Sequence, residues 1–406
     1  MSDPTIGILG PISLEDYRDH LPERCFAAGY PRGLGGTPVN LMVRELLGRG
    51  RRVVVFSLDP SVTEERVFEG DRLRICVGPY TTRRAQTYFK RERRYLLDAI
   101  RRERPDLLSA HWTYEFALPA IASGIPHVVT ARDAPWRILR RNFIPYRMVR
   151  TVMAYHAMRL ARRMVAVSPY IADHLHRFGF HSGPIDVIPN GLPEAFFERP
   201  AGRPAGRAAE GAPTFASIFS GGWEGLKNGA KAMEAFATVR RSLPAARLLM
   251  IGDQCGPDGP AAAWARGRGF DAGIDFLGRL PYAAVKDTLA RAADVLVHPS
   301  LEESFGMTLI EAAAVGVPAI AGRASGAVSW VLGDCGVLVD VRSSDDIAQA
   351  MLHLGTDAGA RRRLGEAART SVRERFSIGK TMDRYEEIFE QLARSGPVGS
   401  GAMTAD

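Results

Sequence analysis

Residues 298–322, HPSLEESFGMTLIEAAAVGVPAIAG, bring together residue types suited to holding a diphosphate. The strand-like run DVLVHPS ends before an acidic loop, and Ser304 stands where the N-cap of a following helix is expected. A helix beginning at Phe305 leaves the backbone N–H groups of Phe305, Gly306 and Met307 unpaired. Together with the helix dipole, these attract phosphate. Gly306 lets a ligand approach the backbone with no side chain in the way. Glu303 and Glu311 bracket this end, and Glu311 lies roughly 8 Å along the helix at 1.5 Å per residue. With a diphosphate at the helix start, one acid falls near each arm of the ligand, and carboxylates accept paired hydroxyls. A nucleotide-sugar has that shape. Taken singly, each acid reads as a solvated loop residue or an ordinary mid-helix glutamate; the combination points to a site.

The elements that must position these residues alternate in a regular way. TIGILG opens as a short apolar strand, AGYPRGLGGTP follows as a glycine-rich loop, and VNLMVRELLGRG has helical spacing of its apolar residues. Further apolar runs follow: RRVVVFSL, DLLSAHW, IPHVVTA, MVAVS and IDVIPN. Such runs alternating with helices indicate a parallel sheet covered on both faces. RPAGRPAGRAAEGAP, residues 199–213, has no periodicity and reads as a linker. The alternation then restarts with FASIFSGG, a helix over about 230–241, ARLLMIG, IDFLG, DVLVHPS, PAIAG and GVLVD.

ESFGMTLIE followed by AxxxGVP resembles the signature of the retaining family 4 glycosyltransferases, which have the GT-B fold. The likeness runs from about Thr5 to Leu392 and includes GGTPVNLMVRELLGRGRRVVVF, VIPNGLPEAFF, LKNGAKAMEAF and FLGRLPYAAVKDTLARAADVLVHPS. It implies an α/β protein of two Rossmann-like doubly wound domains facing each other across a cleft. The expected organisation is an acceptor-binding domain over 1–198, the linker, a nucleotide-sugar domain over 214–379, a helix over 380–394 packing back toward the N-terminal domain, and a mobile tail over 395–406.

By the same resemblance, Glu303 contacts the donor sugar and Glu311 the nucleotide ribose. The backbone around Ser304, Phe305, Gly306, Met307 and Thr308 holds sugar and phosphate. Gly35 and Gly36 resemble the loop that covers the diphosphate. Gly278 and Arg279 match the region contacting the base. Lys227, between a strand and a helix at the carboxyl edge of the sheet, stabilises the leaving diphosphate. Two departures stand out. The family usually carries an arginine shortly before this lysine, where Gly221 and Gly222 stand here. It often carries a histidine where IPHVVTARDAPW has Arg132, followed by Asp133. Arginine is no base at neutral pH, so Arg132 either binds an anionic group of acceptor or donor or pairs with a nearby acid. His111, after another strand, either faces the acceptor or is structural. His111, Arg132 and Asp133 are the acceptor candidates, and Arg132 joins Glu303 and Lys227 as a catalytic candidate.

Composition narrows the partners. A chain of 406 residues with 46% hydrophobic and 24% charged residues is globular. No apolar run is long enough to span a bilayer, and MSDPTIGILGPI lacks a secretion signal's basic start. Cys25, Cys76, Cys255 and Cys335 form no CxxC pair, which fits unpaired thiols in a reducing cytosol. The net charge of +8 is lopsided: residues 1–200 carry about +9 and residues 201–406 about −1. Basic stretches over 83–104 and 132–163, the second interleaved with apolar residues, suit an anionic lipid surface or a helix packed on its own domain. Nucleic acid is not expected, since no recognition motif accompanies the charge. No D-x-D triplet, P-loop or G-x-S-x-G occurs.

The reading is therefore a cytoplasmic enzyme, at the inner membrane face if peripheral. It moves a sugar with retention from a nucleoside diphosphate sugar to a hydroxyl acceptor of glycoconjugate or polysaccharide synthesis, with no metal or other cofactor. Rivals are a glycoside hydrolase using Glu303 and Glu311, a non-catalytic nucleotide-sugar binder, and a sugar-nucleotide epimerase.

Overall fold

The structure is a computed structural model that describes residues 3–178, 181–198 and 212–395. The chain divides into two compact units. One comprises the residues up to Gly191 and those from Ile378 on; the other is Leu192–Ser377. The first division thus falls at Gly191, ahead of the expected 198, and the second at Ser377 rather than 379. Of the expected linker, residues 199–211 lie outside the described residues, as do 396–406 of the expected tail.

The first unit holds eight strands: β1 (Thr5–Leu9), β2 (Arg52–Asp59), β3 (Arg66–Glu69), β4 (Leu73–Pro79), β5 (Leu107–His111), β6 (His127–Ala131), β7 (Met164–Ala166) and β8 (Ile185–Val187). Their order is β3-β4-β2-β1-β5-β6-β7-β8. All neighbours are parallel except β3, which pairs antiparallel with β4. The inner strands are apolar on both faces because helices cover both, so β5 and β6 are buried along their whole length. The β3–β4 hairpin is the element the sequence pattern does not announce. β3 buries only Phe68 and sits at the sheet edge, so its residues carry little apolar alternation.

The helix Ile378–Ser395 belongs to this unit. Its Tyr385 is buried and its hydroxyl lies 2.9 Å from Thr130 Oγ1. Glu386 accepts from Arg49 and Arg51 at 2.6 and 3.0 Å. The chain passes so closely at Gly191 that a Cβ there would lie 2.5 Å from Ile378 Cα, which only glycine avoids.

The second unit holds β9 (Thr214–Phe219), β10 (Arg247–Gly252), β11 (Ile274–Gly278), β12 (Val295–His298), β13 (Ala319–Gly322) and β14 (Val337–Val339). Every pairing is parallel, in the order β11-β10-β9-β12-β13-β14. The helix read over 230–241 runs Gly229–Ser242 and turns Ala232, Phe236 and Val239 into a core with Phe215, Trp223 and Met250. Each fully buried large apolar side chain contributes about 1.5–3 kcal/mol. Cys76 and Cys255 are buried and Cys25 and Cys335 half-buried; all four are free thiols. Burial pushes the Cys76 and Cys255 thiols up to about 11 and about 12, which keeps them protonated and unreactive.

Candidate functional site

In the second unit the strand order runs outward from β9 through β10 to β11, then reverses as β12 takes the other side of β9. Open α/β sheets bind ligands beyond the carboxyl ends of the strands at such a reversal. Lys227 follows β9 and Glu303 follows β12, so the two flank this crevice. Backbone contacts bring their loops together. Asn228, in the left-handed region at φ 55, donates its side-chain amide to Pro299 O at 3.1 Å and Val341 O at 2.8 Å. Leu301 N donates to Leu226 O at 2.8 Å.

With the loops so fixed, Lys227 Nζ donates to Glu303 Oε1 at 2.6 Å. His298, the last residue of β12, places Nε2 3.2 Å from the same oxygen and Nδ1 3.2 Å from Thr308 Oγ1. Burial alone would raise the Glu303 carboxyl, but the Lys227 charge and the contact with His298 outweigh it and hold the group well below the usual carboxylate range. An ammonium has three N–H donors, so Lys227 can bind Glu303 and still offer protons to a phosphate.

The helix after this loop is Met307–Ala314, two residues later than expected, and its N-cap is Gly306 rather than Ser304. The cause is packing. Phe305 is drawn into the core against Trp330 and Phe376, at ring-centroid distances of 6.2 and 5.4 Å. The chain can enter the helix only after a left-handed residue, Gly306 at φ 98. A Cβ at that position would also sit 2.8 Å from Leu309 Cδ1. The Phe305 side chain therefore belongs to the core, and only its backbone lies at the loop. The helix opens on the half-buried Met307 and Thr308, whereas Leu309 N already donates to Gly306 O.

Glu311 is 4% exposed. Burial pushes its carboxyl up to about 7, against a hydrogen bond from Tyr282 that favours the ionised form. The two acids of the signature are thus unlike: Glu303 is held ionised by a paired cation, whereas Glu311 is poised to titrate near neutrality.

Gly221, Asp253 and Arg279 lie beyond the carboxyl ends of β9, β10 and β11. Gly221 N donates to Asp253 Oδ2 at 3.0 Å, and the exposed Arg279 guanidinium stands 3.9 Å from Asp253 Oδ1. Gly221 and Gly222, which replace the family's arginine, are left-handed at φ 75 and 103, and a Cβ on Gly221 would meet open space. Gly278, at φ 67, closes β11 by donating to Cys255 O.

The remaining predicted residues lie in the first unit. Gly35 and Gly36 have φ 84 and 95, and Gly36 caps the helix Thr37–Gly48; a Cβ there would lie 2.2 Å from Pro11 O. His111 is fully buried, and its Nδ1 accepts from Arg132 Nη2 at 2.9 Å. Burial and the Arg132 charge hold it well below the usual histidine value, so it is neutral. Arg132 also donates to Asn190 Oδ1 at 2.5 Å. Of the two alternatives, the pairing with a nearby acid is not seen among the described ion pairs: the partners of Arg132 here are the neutral His111 and Asn190. Asp133 accepts from the Tyr114 hydroxyl at 2.8 Å.

Lys227 and Glu303 are thus joined by a hydrogen-bonded ion pair, with His298, itself bonded to Thr308, against the same carboxylate oxygen, and His111 and Arg132 are joined in a second group. His298, Asn228, Asp253 and Asn190 are not singled out by the sequence reading; the sequence signal for the first three is their place at the end of a strand, beside Lys227 and just beyond a strand, respectively. Among the described residues no group of three or more His, Cys, Asp or Glu stands together as a metal site.

Residues 207–371 match the family described as Glycosyl transferases group 1, and residues 36–196 match Glycosyltransferase Family 4. The chain is 34% identical over 197 residues to a D-inositol 3-phosphate glycosyltransferase of Corynebacterium kroppenstedtii, covering 46% of this chain and 43% of the relative. It is 32% identical over 171 residues to an N-acetyl-alpha-D-glucosaminyl L-malate synthase of Bacillus anthracis, covering 42% and 43%. The matches span less than half the length of these relatives. Among solved structures, sucrose-phosphate synthase from Thermosynechococcus elongatus superposes with TM-score 0.74 at 19% identity, covering 97% of this chain and all of that one. Anabaena HepE, solved with UDP and glucose, superposes at 0.68 with 16% identity, covering 96% and 100%. These likenesses show the GT-B fold.

Proposed function

Because the chain belongs to the group 1 glycosyl transferases, with an N-terminal half of the Family 4 type, we propose that it transfers a sugar from a nucleoside diphosphate sugar to a hydroxyl acceptor, with retention. The observation that carries this reading is the chain Lys227–Glu303–His298–Thr308 at the β9/β12 reversal. Lys227 meets the diphosphate, Glu303 accepts sugar hydroxyls while Lys227 and His298 fix its orientation, and Glu311 accepts the ribose hydroxyls. The bond from the anomeric carbon to the diphosphate oxygen breaks, and the acceptor oxygen bonds to that carbon on the same face. The acceptor proton passes to the departing diphosphate. No metal is required, since Lys227 and the helix-start amides supply the positive field.

The acceptor is an anionic or lipid-linked precursor of a glycoconjugate or polysaccharide, and the chain works at the cytoplasmic face of a membrane. The excess of basic residues in its first half supports the membrane placement, and relatives named for phosphorylated inositol and malate support an anionic acceptor.

Equilibrium binding of UDP, GDP, ADP and dTDP, with and without EDTA, tests the site. Selective binding that survives EDTA is expected; no binding by any of them would refute the reading. The binding should also depend on pH. With Glu311 at about 7, ribose hydroxyls that prefer the carboxylate lower its pKa on binding. Affinity should therefore rise up to tenfold per pH unit from pH 6 and level off above about 7, with proton release. Calorimetry at pH 7 in two buffers of different ionisation enthalpy reads that proton directly.

Unequal acidity of two carboxyls is also what a glycoside hydrolase uses. The ion pair with Lys227 opposes that role, because it withdraws charge from the oxygen that would act as nucleophile. Sugar release to water without any nucleotide would favour it.

A further inference from the structure

Eight large apolar side chains are exposed among the described residues, and six of them fall between Trp136 and Leu160. This segment consists of the helices Pro135–Arg141 and Pro145–Leu160 with the turn that joins them. Phe143 and Ile144 stand on the turn, Phe143 with 71% of its surface exposed. Met148 and Val152 continue one turn apart along the outward face of the second helix. A helix on the surface of a soluble domain ordinarily turns polar residues outward. Here the apolar row stands among cations instead. From 134 to 172 the sequence contains eight arginines and no acidic residue, and Arg137, Arg140 and Arg159 are exposed.

The inward face of the same helix is of a different kind. Arg150 stacks 3.8 Å over the Tyr114 ring and donates to the Tyr146 hydroxyl at 3.0 Å. It stands 3.4 Å from the fully buried Glu115, which also accepts from the Tyr80 hydroxyl at 2.9 Å. Tyr80, Tyr114 and Glu115 lie beyond the carboxyl ends of β4 and β5. The outward apolar residues are therefore not a core face left bare, because the face that packs on the domain is already occupied.

We infer that the hairpin Pro135–Leu160 is a docking surface for an anionic lipid bilayer. Phe143, Ile144, Met148 and Val152 enter the headgroup boundary, and the flanking arginines pair with lipid phosphates. Apolar insertion and cationic attraction act together on such a surface, and neither alone holds a protein firmly. Charge decides among the occupants. A second copy of this chain would set arginines against arginines, whereas an anionic bilayer offers apolar depth and negative charge together. Docking through this helix would bring a lipid-borne headgroup to the strand ends beneath it. The inference deepens the proposed membrane placement and does not rest on the transfer reaction: nucleotide binding without membrane binding would refute this surface and that placement and leave the transfer site standing.

The test is co-flotation of the full chain with vesicles of phosphatidylcholine alone and of phosphatidylcholine mixed with phosphatidylglycerol. Binding is expected to the mixed vesicles only and to fall steeply with added salt. The Phe143→Asp/Val152→Asp variant should lower it about tenfold or more, and Arg140→Glu/Arg159→Glu should do the same. Unchanged melting temperature and nucleotide binding confirm the fold of each variant; Phe143→Gln, at the most exposed of these side chains, replaces any that fails. Equal binding by wild type and variants would overturn the inference, as would equal binding to neutral vesicles. So would a concentration-dependent dimer, seen by light scattering, that the variants abolish while wild type binds no vesicle.

Discussion

Lys227→Ala is expected to lower the transfer rate about 10²–10³-fold, the usual effect of removing one preorganised charge donor from a transition state. The lysine is the cation that the structure sets directly on Glu303, at 2.6 Å and beside the β9/β12 reversal. Its loss has a second consequence. Glu303, 12% exposed, is left as a nearly buried carboxylate whose remaining contact is His298. Stranding one partner of a fully buried pair costs about 3–5 kcal/mol, and the 27% exposure of Lys227 reduces that figure here. The sign follows from the depressed Glu303 pKa. The pair contributes stability above the ordinary carboxylate value and loses it as pH falls through the native one. Lys227→Ala should therefore melt lower than wild type at pH 7, and the gap should narrow toward acid pH. Lys227→Ala/Glu303→Gln, which removes both charges, should recover most of the melting temperature without recovering activity. A Lys227→Ala enzyme with normal turnover would remove the lysine from the mechanism.

Glu311→Gln should separate stability from binding in the opposite direction. In the free protein burial holds Glu311 at about 7, above its ordinary value of 4.5. That difference corresponds to at most about 3 kcal/mol, present below pH 4.5 and lost as pH rises through 7. A neutral glutamine escapes the loss, so the variant should be more stable than wild type at pH 8 and no more stable at pH 4.5. Nucleotide affinity should nonetheless fall about tenfold to a hundredfold at pH 8, since a charged acceptor of hydrogen bonds is replaced by a neutral one. Glu303→Gln should weaken nucleoside diphosphates far less and act on the sugar-bearing donor. Calorimetric titration of both variants with the preferred diphosphate and its sugar decides the assignment; equal losses would refute it. A Glu311→Gln chain that melts lower at pH 8 would mean that the carboxylate is stabilised by groups other than Tyr282.

Where the sequence and the structure part company, the reason is a contact with a distant residue. The helix start moved from Phe305 to Met307 because Phe376 and Trp330 capture the Phe305 ring. Arg132 turned inward because His111, neutral through burial, offers it a lone pair, and Asn190 a carbonyl. β3 is not announced by the sequence because an edge strand with one buried residue carries almost no period.

The apolar runs, glycine turns and SFG-to-glutamate spacing indicate two doubly wound domains and a helix following the SFG loop by local rules alone, though not the residue at which that helix begins. Strand period, helix rise and left-handed glycines act within a few residues of one another. Which side chains form the site's electrostatic chain is another matter. Lys227 and Glu303 are 76 residues apart, and Asn228 must bridge β12 and β14 to bring them together. The difference in acidity between Glu303 and Glu311 comes from burial and from partners, and neither is written at either position. The same holds for the helix Pro145–Leu160: its sequence shows arginines among apolar residues, and only packing decides that Arg150 turns inward while Met148 and Val152 face out. Charge and period are properties of a segment, whereas desolvation and pairing arise only when the strand ends converge.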